Sequence, residues 1–195
     1  MTESKRMNKL TDVSMNGRMA YTIMCVEAYL VSRYPDRDWA FVAERMWEAT
    51  SCEYWNRFTD KYVGFIPCVL FEYAEYDKDD LEECYTKEQF ESLKSLYSGI
   101  TDGNKNESND EFAQMIRKPF DFCMAYEGTG IGDGSEGYAI IEEAEKILTE
   151  NKISLPDYHK VLFSSFSEKN GWGNDFDGRP LSVILNKTES LEKLP

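Results

Sequence analysis

The stretch that decides the fold is SMNGRMAYTIMCVEAYLVSRYPDRDWAFVAERMWEATS, Ser14 to Ser51. Its apolar residues recur every three or four positions on both sides of the turn Tyr34-Pro35-Asp36-Arg37. This spacing predicts two α-helices joined by a short connection. The first helix should run from about Met15 to Tyr34, because Ser14 can cap its first turn and Pro35 disfavours helical backbone at the preceding residue.

The first predicted helix is apolar around most of its circumference. Its polar residues form only a narrow strip, made of Arg18, Thr22, Ser32 and Arg33. A helix this apolar is usually central in a helical domain. We therefore expect the rest of the chain to pack around it.

The second predicted helix begins at Asp36 or Asp38, since either side chain can cap it and favour its positive end. Its expected buried stripe consists of Trp39, Val42, Met46 and Ala49.

One acid interrupts the apolar arc of the first helix. Glu27 lies between the positions of Ile23 and Met24 around the helix. A buried carboxylate is costly unless it has partners. Two interpretations stay open: a structural ion pair with a nearby cation such as Arg45, or a functional acid with a raised pKa.

The remaining pattern predicts an all-α single domain of about seven helices over residues 1–195. Residues 1–13 are a polar, flexible lead, and 156–195 form either a small β-hairpin, with strands near 161–166 and 181–185, or an irregular cap. Pro67 either kinks a helix or opens one. Thr86-x-x-Gln89 is a capping box that should start a helix ending near Tyr97.

Composition limits the possible partners. The formal net charge is −14 over 195 residues. This argues against nucleic-acid binding, which needs a basic face, and against anionic membranes. It favours a basic protein partner instead.

The cysteines and the absence of long apolar runs point to the cytoplasm. There are five Cys and no Cys-x-x-Cys, so we expect free thiols, mostly buried, in a reducing compartment. No secretory leader and no run of 18 apolar residues is present, so we expect a cytoplasmic protein without a membrane anchor.

No motif predicts a catalytic or cofactor site. His159 is the one histidine and has no partner placed near it by sequence. The glycine-rich loop Gly128 to Gly134 fails the phosphate-binding patterns. The acidic loops at Asp102 and Asp175 lack the glycine and bidentate glutamate of a calcium loop. We therefore predict no catalytic residues, no metal and no cofactor.

The strongest surface signal is the segment from Phe71 to Glu91. It holds nine acidic residues and two lysines, so its charge of −7 is half that of the chain. A solvated helical surface is one explanation. The other is a docking surface, in which carboxylates steer a cationic partner and tyrosines anchor it. The predicted partner-binding residues are Glu72, Glu75, Tyr76, Asp79, Asp80, Glu82, Glu83 and Tyr85.

Two patches carry a resemblance to a known family. The Trp47-Glu48 pair in RMWEATS and the tail FSSFSEKNGWGNDFDGRPLSVIL resemble all-α immunity proteins of bacterial polymorphic-toxin systems. The resemblance implies a non-enzymatic inhibitor that binds a cognate toxin domain, often a nuclease. Two alternatives stay open: a helical adaptor for another basic protein, and an enzyme that uses Glu27 or Glu48.

Overall fold

The computed structural model describes residues 10–52, 54–103, 109–126, 130–132 and 134–186 of the chain. Eight α-helices lie wholly within these ranges: α1 (Met15–Arg33), α2 (Ala40–Trp47), α3 (Trp55–Tyr62), α4 (Pro67–Leu70), α5 (Lys78–Leu81), α6 (Lys87–Tyr97), α7 (Glu111–Met124) and α8 (Ser135–Glu150). The described residues form no strand, only an isolated bridge between Val13 and Ser165. The predicted all-α class is confirmed.

Helix α1 lies at the centre of the molecule. The Ser14 hydroxyl accepts a hydrogen bond from the Gly17 backbone at 3.1 Å, and Tyr34 ends the helix just before Pro35, as predicted. Helices α2, α7 and α8 all pack against α1. One hydrophobic core follows from this arrangement, with members from Leu10 to Ile184.

The predicted polar strip of α1 is wrong at Arg18 and Thr22, which are both buried. The Arg18 guanidinium donates to the Val13 carbonyl at 2.9 Å and to the Gly134 carbonyl at 3.2 Å. It also stacks 4.3 Å from the ring centre of Tyr138. Arg18 therefore ties the residues before α1 and the start of α8 to the central helix.

The second helix of the hairpin starts later than predicted, at Ala40, whose backbone N–H donates to the Asp38 carboxylate at 3.0 Å. Its predicted stripe is confirmed, since Trp39, Val42, Met46 and Ala49 are all buried.

Two local sequence signals further along the chain are also confirmed. Thr86 and Gln89 form the predicted capping box at the start of α6. Pro67 occupies the first turn of α4, so it opens a helix instead of kinking one. All five cysteines are free thiols, of which Cys25, Cys84 and Cys123 are buried.

The predicted hairpin in the tail is wrong, and the irregular cap is correct. Short 3₁₀ turns occur at Tyr158–Val161, Glu168–Gly171 and Arg179–Leu181. The tail backbone bonds to distant segments: Phe166 donates to the Asp12 carbonyl at 2.8 Å and Phe176 to the Thr50 carbonyl at 2.9 Å. These bonds use the backbone groups that a hairpin would have paired.

The lead residues 10–13 are part of the fold, since Leu10 and Val13 are buried; the predicted flexible lead otherwise lies outside the described residues. None of the helices in the described ranges combines the length and the apolar character that a bilayer crossing requires.

Gly178 tests how closely the tail packs on α2. A Cβ there would lie 2.3 Å from the Trp47 ring and 2.7 Å from the Thr50 hydroxyl. We expect Gly178→Ala to lower the free energy of unfolding by about 2 kcal/mol through overpacking. Urea denaturation is the measurement. Gly130→Ala is the control, because a Cβ at Gly130 meets nothing within 4 Å; equal stability of the two variants would contradict the close packing.

Candidate functional site

The acids of the segment 71–91 are all exposed, and we call them together the acidic face. Its members are Glu72, Glu75, Asp77, Asp79, Asp80, Glu82, Glu83, Glu88 and Glu91, and all nine are exposed. Both lysines of the segment, Lys78 and Lys87, are exposed as well. Lys78 reaches Glu82 at 3.7 Å, a loose solvent-exposed pair. The acidic face therefore keeps most of its negative charge.

Two aromatic residues of this segment, Tyr85 and Phe90, are buried in the core, whereas the half-buried Tyr73 donates from its hydroxyl to the Asp80 carboxylate at 3.2 Å. Tyr85 is buried, and its hydroxyl donates to the Gly64 carbonyl at 3.2 Å. The half-buried Tyr76 donates to the Tyr85 carbonyl at 3.1 Å, and its ring packs 5.9 Å from that of Phe90. Burial raises the pKa of Tyr85, so its phenol stays neutral.

These contacts correct part of the predicted binding set. Tyr85 cannot anchor a partner, because its side chain belongs to the core, and Tyr76 uses its hydroxyl within the fold. The predicted acids Glu72, Glu75, Asp79, Asp80, Glu82 and Glu83 are all exposed.

Some of the acids also stabilise the helices that carry them. Asp77 caps α5 by accepting from the Asp79 backbone at 3.0 Å. Glu88 lies in the first turn of α6, where its own backbone N–H and the Thr86 side chain lower the pKa of its carboxyl group. Carboxylates at these positions favour the positive ends of the helices. Glu75, Glu82 and Glu83 lie outside these capping positions.

Glu27 is the most deeply buried acid that the sequence singled out, with no exposed surface. One carboxylate oxygen accepts from the Trp47 indole at 2.8 Å and from the Ser182 hydroxyl at 2.5 Å. The other accepts from the Val183 backbone at 2.8 Å. The predicted ion pair with Arg45 is wrong. The Arg45 guanidinium bonds to Glu48 at 3.0 Å and to the Cys84 carbonyl instead.

Hydrogen-bond donors therefore take the place of a cation at Glu27. Burial raises the pKa of the carboxyl group, while the bonds from Ser182, Trp47 and Val183 oppose that rise. The group is enclosed by the protein, so a substrate has no path to it in this conformation. The geometry favours a structural acid over a catalytic one.

The two patches that carry the family resemblance touch each other through this site. Trp47 is buried and bonds to Glu27, whereas Glu48 is exposed beside Arg45. In the tail, the Gly178 backbone donates to the Thr50 hydroxyl at 3.1 Å. Trp47 therefore serves the fold and does not form a contact surface.

The remaining candidates for chemistry are not assembled into a site. His159 is exposed and bonds to Asp157 at 2.7 Å, which lowers the pKa of that acid. In the described part of the chain, no group of three or more His, Cys, Asp or Glu side chains could hold a metal. Asp175 pairs with Lys169 at 3.2 Å. Parts of the loops after Asp102 and Gly128 lie outside the described residues.

Sequence reasoning missed the grooves that the described residues form, and two of them are relevant to binding. The aromatic groove lies between α3, the end of α7 and the tail. Trp55, Tyr126 and Trp172 line it in mutual edge contact, and the more exposed Tyr54 and Met124 flank it.

The second groove lies between the start of α2 and α6, and we call it the acid-rimmed groove. It is lined by Asp38, Phe41, Glu88, Glu91, Ser92, Leu93, Ser95 and Leu96. The sequence contains one sign of this groove: Phe41 in α2 and Leu96 in α6 are apolar residues that lie outside the buried stripes of their amphipathic helices. Both are only partly buried.

Comparison with known proteins found no similar family: no protein-family model, no curated protein and no solved structure matches the chain.

The Trp47–Glu27 bond can be tested against a matched tryptophan. Trp47→Phe removes a donor to a carboxylate, whereas Trp39→Phe removes a 3.0 Å bond to the neutral Tyr34 carbonyl. Both indoles are buried, so the loss of packing is similar. At a pH above the native pKa of Glu27, where its carboxylate is charged, we expect Trp47→Phe to cost about 1 kcal/mol more, because hydrogen bonds to charged groups are stronger. Equal losses in urea denaturation would contradict this.

The raised pKa of Glu27 predicts a pH dependence of stability. The contribution of Glu27 to stability is complete at pH values below 4.5, the ordinary pKa of the group, which applies in the unfolded chain. This contribution is lost as the pH rises through the higher pKa of the folded protein. Relative to Glu27→Gln, the free energy of unfolding of the wild type should fall by about 1.4 kcal/mol for each pH unit between the unfolded and the native pKa of Glu27. Urea denaturation of both proteins from about pH 4 to about pH 7 measures the difference. A stability of the wild type, relative to Glu27→Gln, that stays constant or rises with pH would contradict it.

Proposed function

We propose that this protein is an immunity protein: it binds a cognate bacterial toxin domain through the acidic face and thereby neutralises it. The observation that supports this proposal is the exposure of all nine acids between Glu72 and Glu91. Like charges crowded at one surface repel each other and weaken the fold. A basic partner relieves that repulsion on binding and is steered toward the surface.

The charge also suggests what kind of toxin the protein blocks. A nuclease presents basic residues to the phosphates of its substrate. An acidic face can occupy such a groove and exclude the nucleic acid. The net charge of −14 accords with this role. The face would bind as a surface of the folded protein, with no catalytic step and no cofactor.

A helical adaptor for a different basic protein is the second candidate, because the acidic face serves it equally well. The two functions differ in the partner. Co-expression with a toxin domain encoded immediately upstream separates them: an immunity protein restores growth and forms a complex with that domain. Absence of both protection and complex would reject the immunity function.

Charge removal tests the surface itself. The variant carrying Glu75→Gln, Asp79→Asn, Glu82→Gln and Glu83→Gln should associate with the toxin domain at least about tenfold more slowly, with a weaker dependence on salt. Stopped-flow kinetics at low and physiological ionic strength provides the measurement.

The control carries four substitutions at exposed acids outside the acidic face: Asp12→Asn, Glu136→Gln, Glu142→Gln and Glu150→Gln. It removes the same charge and should retain most of the association rate. If both variants slow association equally, the net charge drives binding and the acidic face is not the docking surface.

A further inference from the structure

The acid-rimmed groove combines an apolar floor with a negative edge. Phe41, Leu93 and Leu96 supply the apolar floor, and Leu93 is fully buried beneath the other two. Asp38, Glu88 and Glu91 supply the edge, and all three are exposed. Among the described residues, no lysine or arginine lines the groove, and the nearby Arg37 guanidinium is held by the Leu96 and Ser98 carbonyls. Its shape and its charge therefore both favour a ligand with an apolar side and a cationic side.

The groove also extends the acidic face. Glu88 and Glu91 belong to both the acidic face and the groove, so a partner that contacts these two acids also reaches the groove. This matters because Tyr76 and Tyr85 use their hydroxyl groups within the fold, which leaves the acidic face with few apolar anchors. Stable interfaces need a desolvated apolar centre, with charges around it. Phe41 and Leu96 are half-buried apolar residues that line the groove beside its acids.

The length of the groove along α6 suits about two turns of a helix. One side of α6 lines the groove from Glu88 to Leu96, a length of about 12 Å at the helical rise per residue. Ser92 and Ser95 keep the side chains on this part of the helix small. An amphipathic helix lying between two helices of its receptor is a common recognition mode.

We propose that the acid-rimmed groove binds a cationic amphipathic helix of the protein partner. Apolar side chains of that helix pack on Phe41 and Leu96, and its lysines or arginines lie over Asp38, Glu88 and Glu91. The aliphatic stems of the basic residues add to the apolar contact while their charges reach the rim. The inference rests on the proposed function in one respect: it assumes the same basic partner.

The binding chemistry is tested with a synthetic probe. The probe is a fluorescent helical peptide with leucines on one side and lysines on the other, and its control is a scrambled peptide of identical composition. At physiological salt, fluorescence anisotropy should show the amphipathic peptide binding at least about tenfold more tightly. Equal affinity would mean that the protein recognises charge alone, and would overturn the proposal.

A double variant locates the binding in the groove. Ser92→Lys and Ser95→Lys place lysines four residues after Glu88 and Glu91, where they pair with these acids along the helix. Both serines are exposed, so the fold should tolerate the change. The control Ser32→Lys/Ser154→Lys adds the same charge at two other exposed serines. The first variant should weaken binding of the amphipathic peptide about tenfold more than the control. Similar losses would overturn the proposal.

The same variants, tested on a toxin domain, separate this inference from the proposed function. If the toxin complexes of Ser92→Lys/Ser95→Lys and of its control variant are equally stable, the groove proposal is overturned and the immunity function still stands. Binding of the amphipathic peptide without any toxin complex would reject the immunity function and support the groove.

Discussion

The buried carboxylate of Glu27 joins three parts of the chain that are far apart in sequence. It lies on α1, accepts from Trp47 at the end of α2, and accepts from Ser182 and Val183 in the tail. Removing one partner would leave a buried charge or a buried donor unsatisfied, which costs several kcal/mol. The described part of the tail has only an isolated bridge, between Val13 and Ser165, so its position also depends on this site and on backbone bonds to residues 12–16 and 50.

Other buried polar groups of the core follow the same rule. Arg18 spreads its donors over backbone carbonyls, and Tyr21 donates to the buried Glu145 at 2.7 Å. Such groups stabilise the fold only when the geometry is complete. They therefore favour one arrangement of the helices, which gives the exposed acids of the segment 71–91 a defined spatial pattern.

The elements that the sequence predicted correctly depend on local chemistry. The cap at Ser14, the stop before Pro35 and the box at Thr86 each involve residues within four positions of one another. Periodicity correctly assigned the buried stripes of α1 and α2, because apolar burial repeats with the helical turn.

The errors arise where the partner is distant or the residue type misleads. The sequence places Arg18 in the polar strip of α1, because charged residues are rarely buried without a partner. Its partners are backbone carbonyls, which a pattern of side chains does not reveal. The same limit applies to Glu27, whose donors include a backbone N–H 156 residues away. The tail has strand-like composition, but its hydrogen bonds go to residues 12–16 and 50.

Tyr76 and Tyr85 show why the candidate site was only half predicted. An acidic segment threaded with aromatic residues is ambiguous, since the rings can face a partner or the core. Here the segment contains only short helices, and its rings are the main apolar surface it can bury. They turn inward, and the acids turn outward as a consequence. The apolar contacts of any interface must then come from a neighbouring element, and Phe41 of α2 and Leu96 of α6 are placed to provide them.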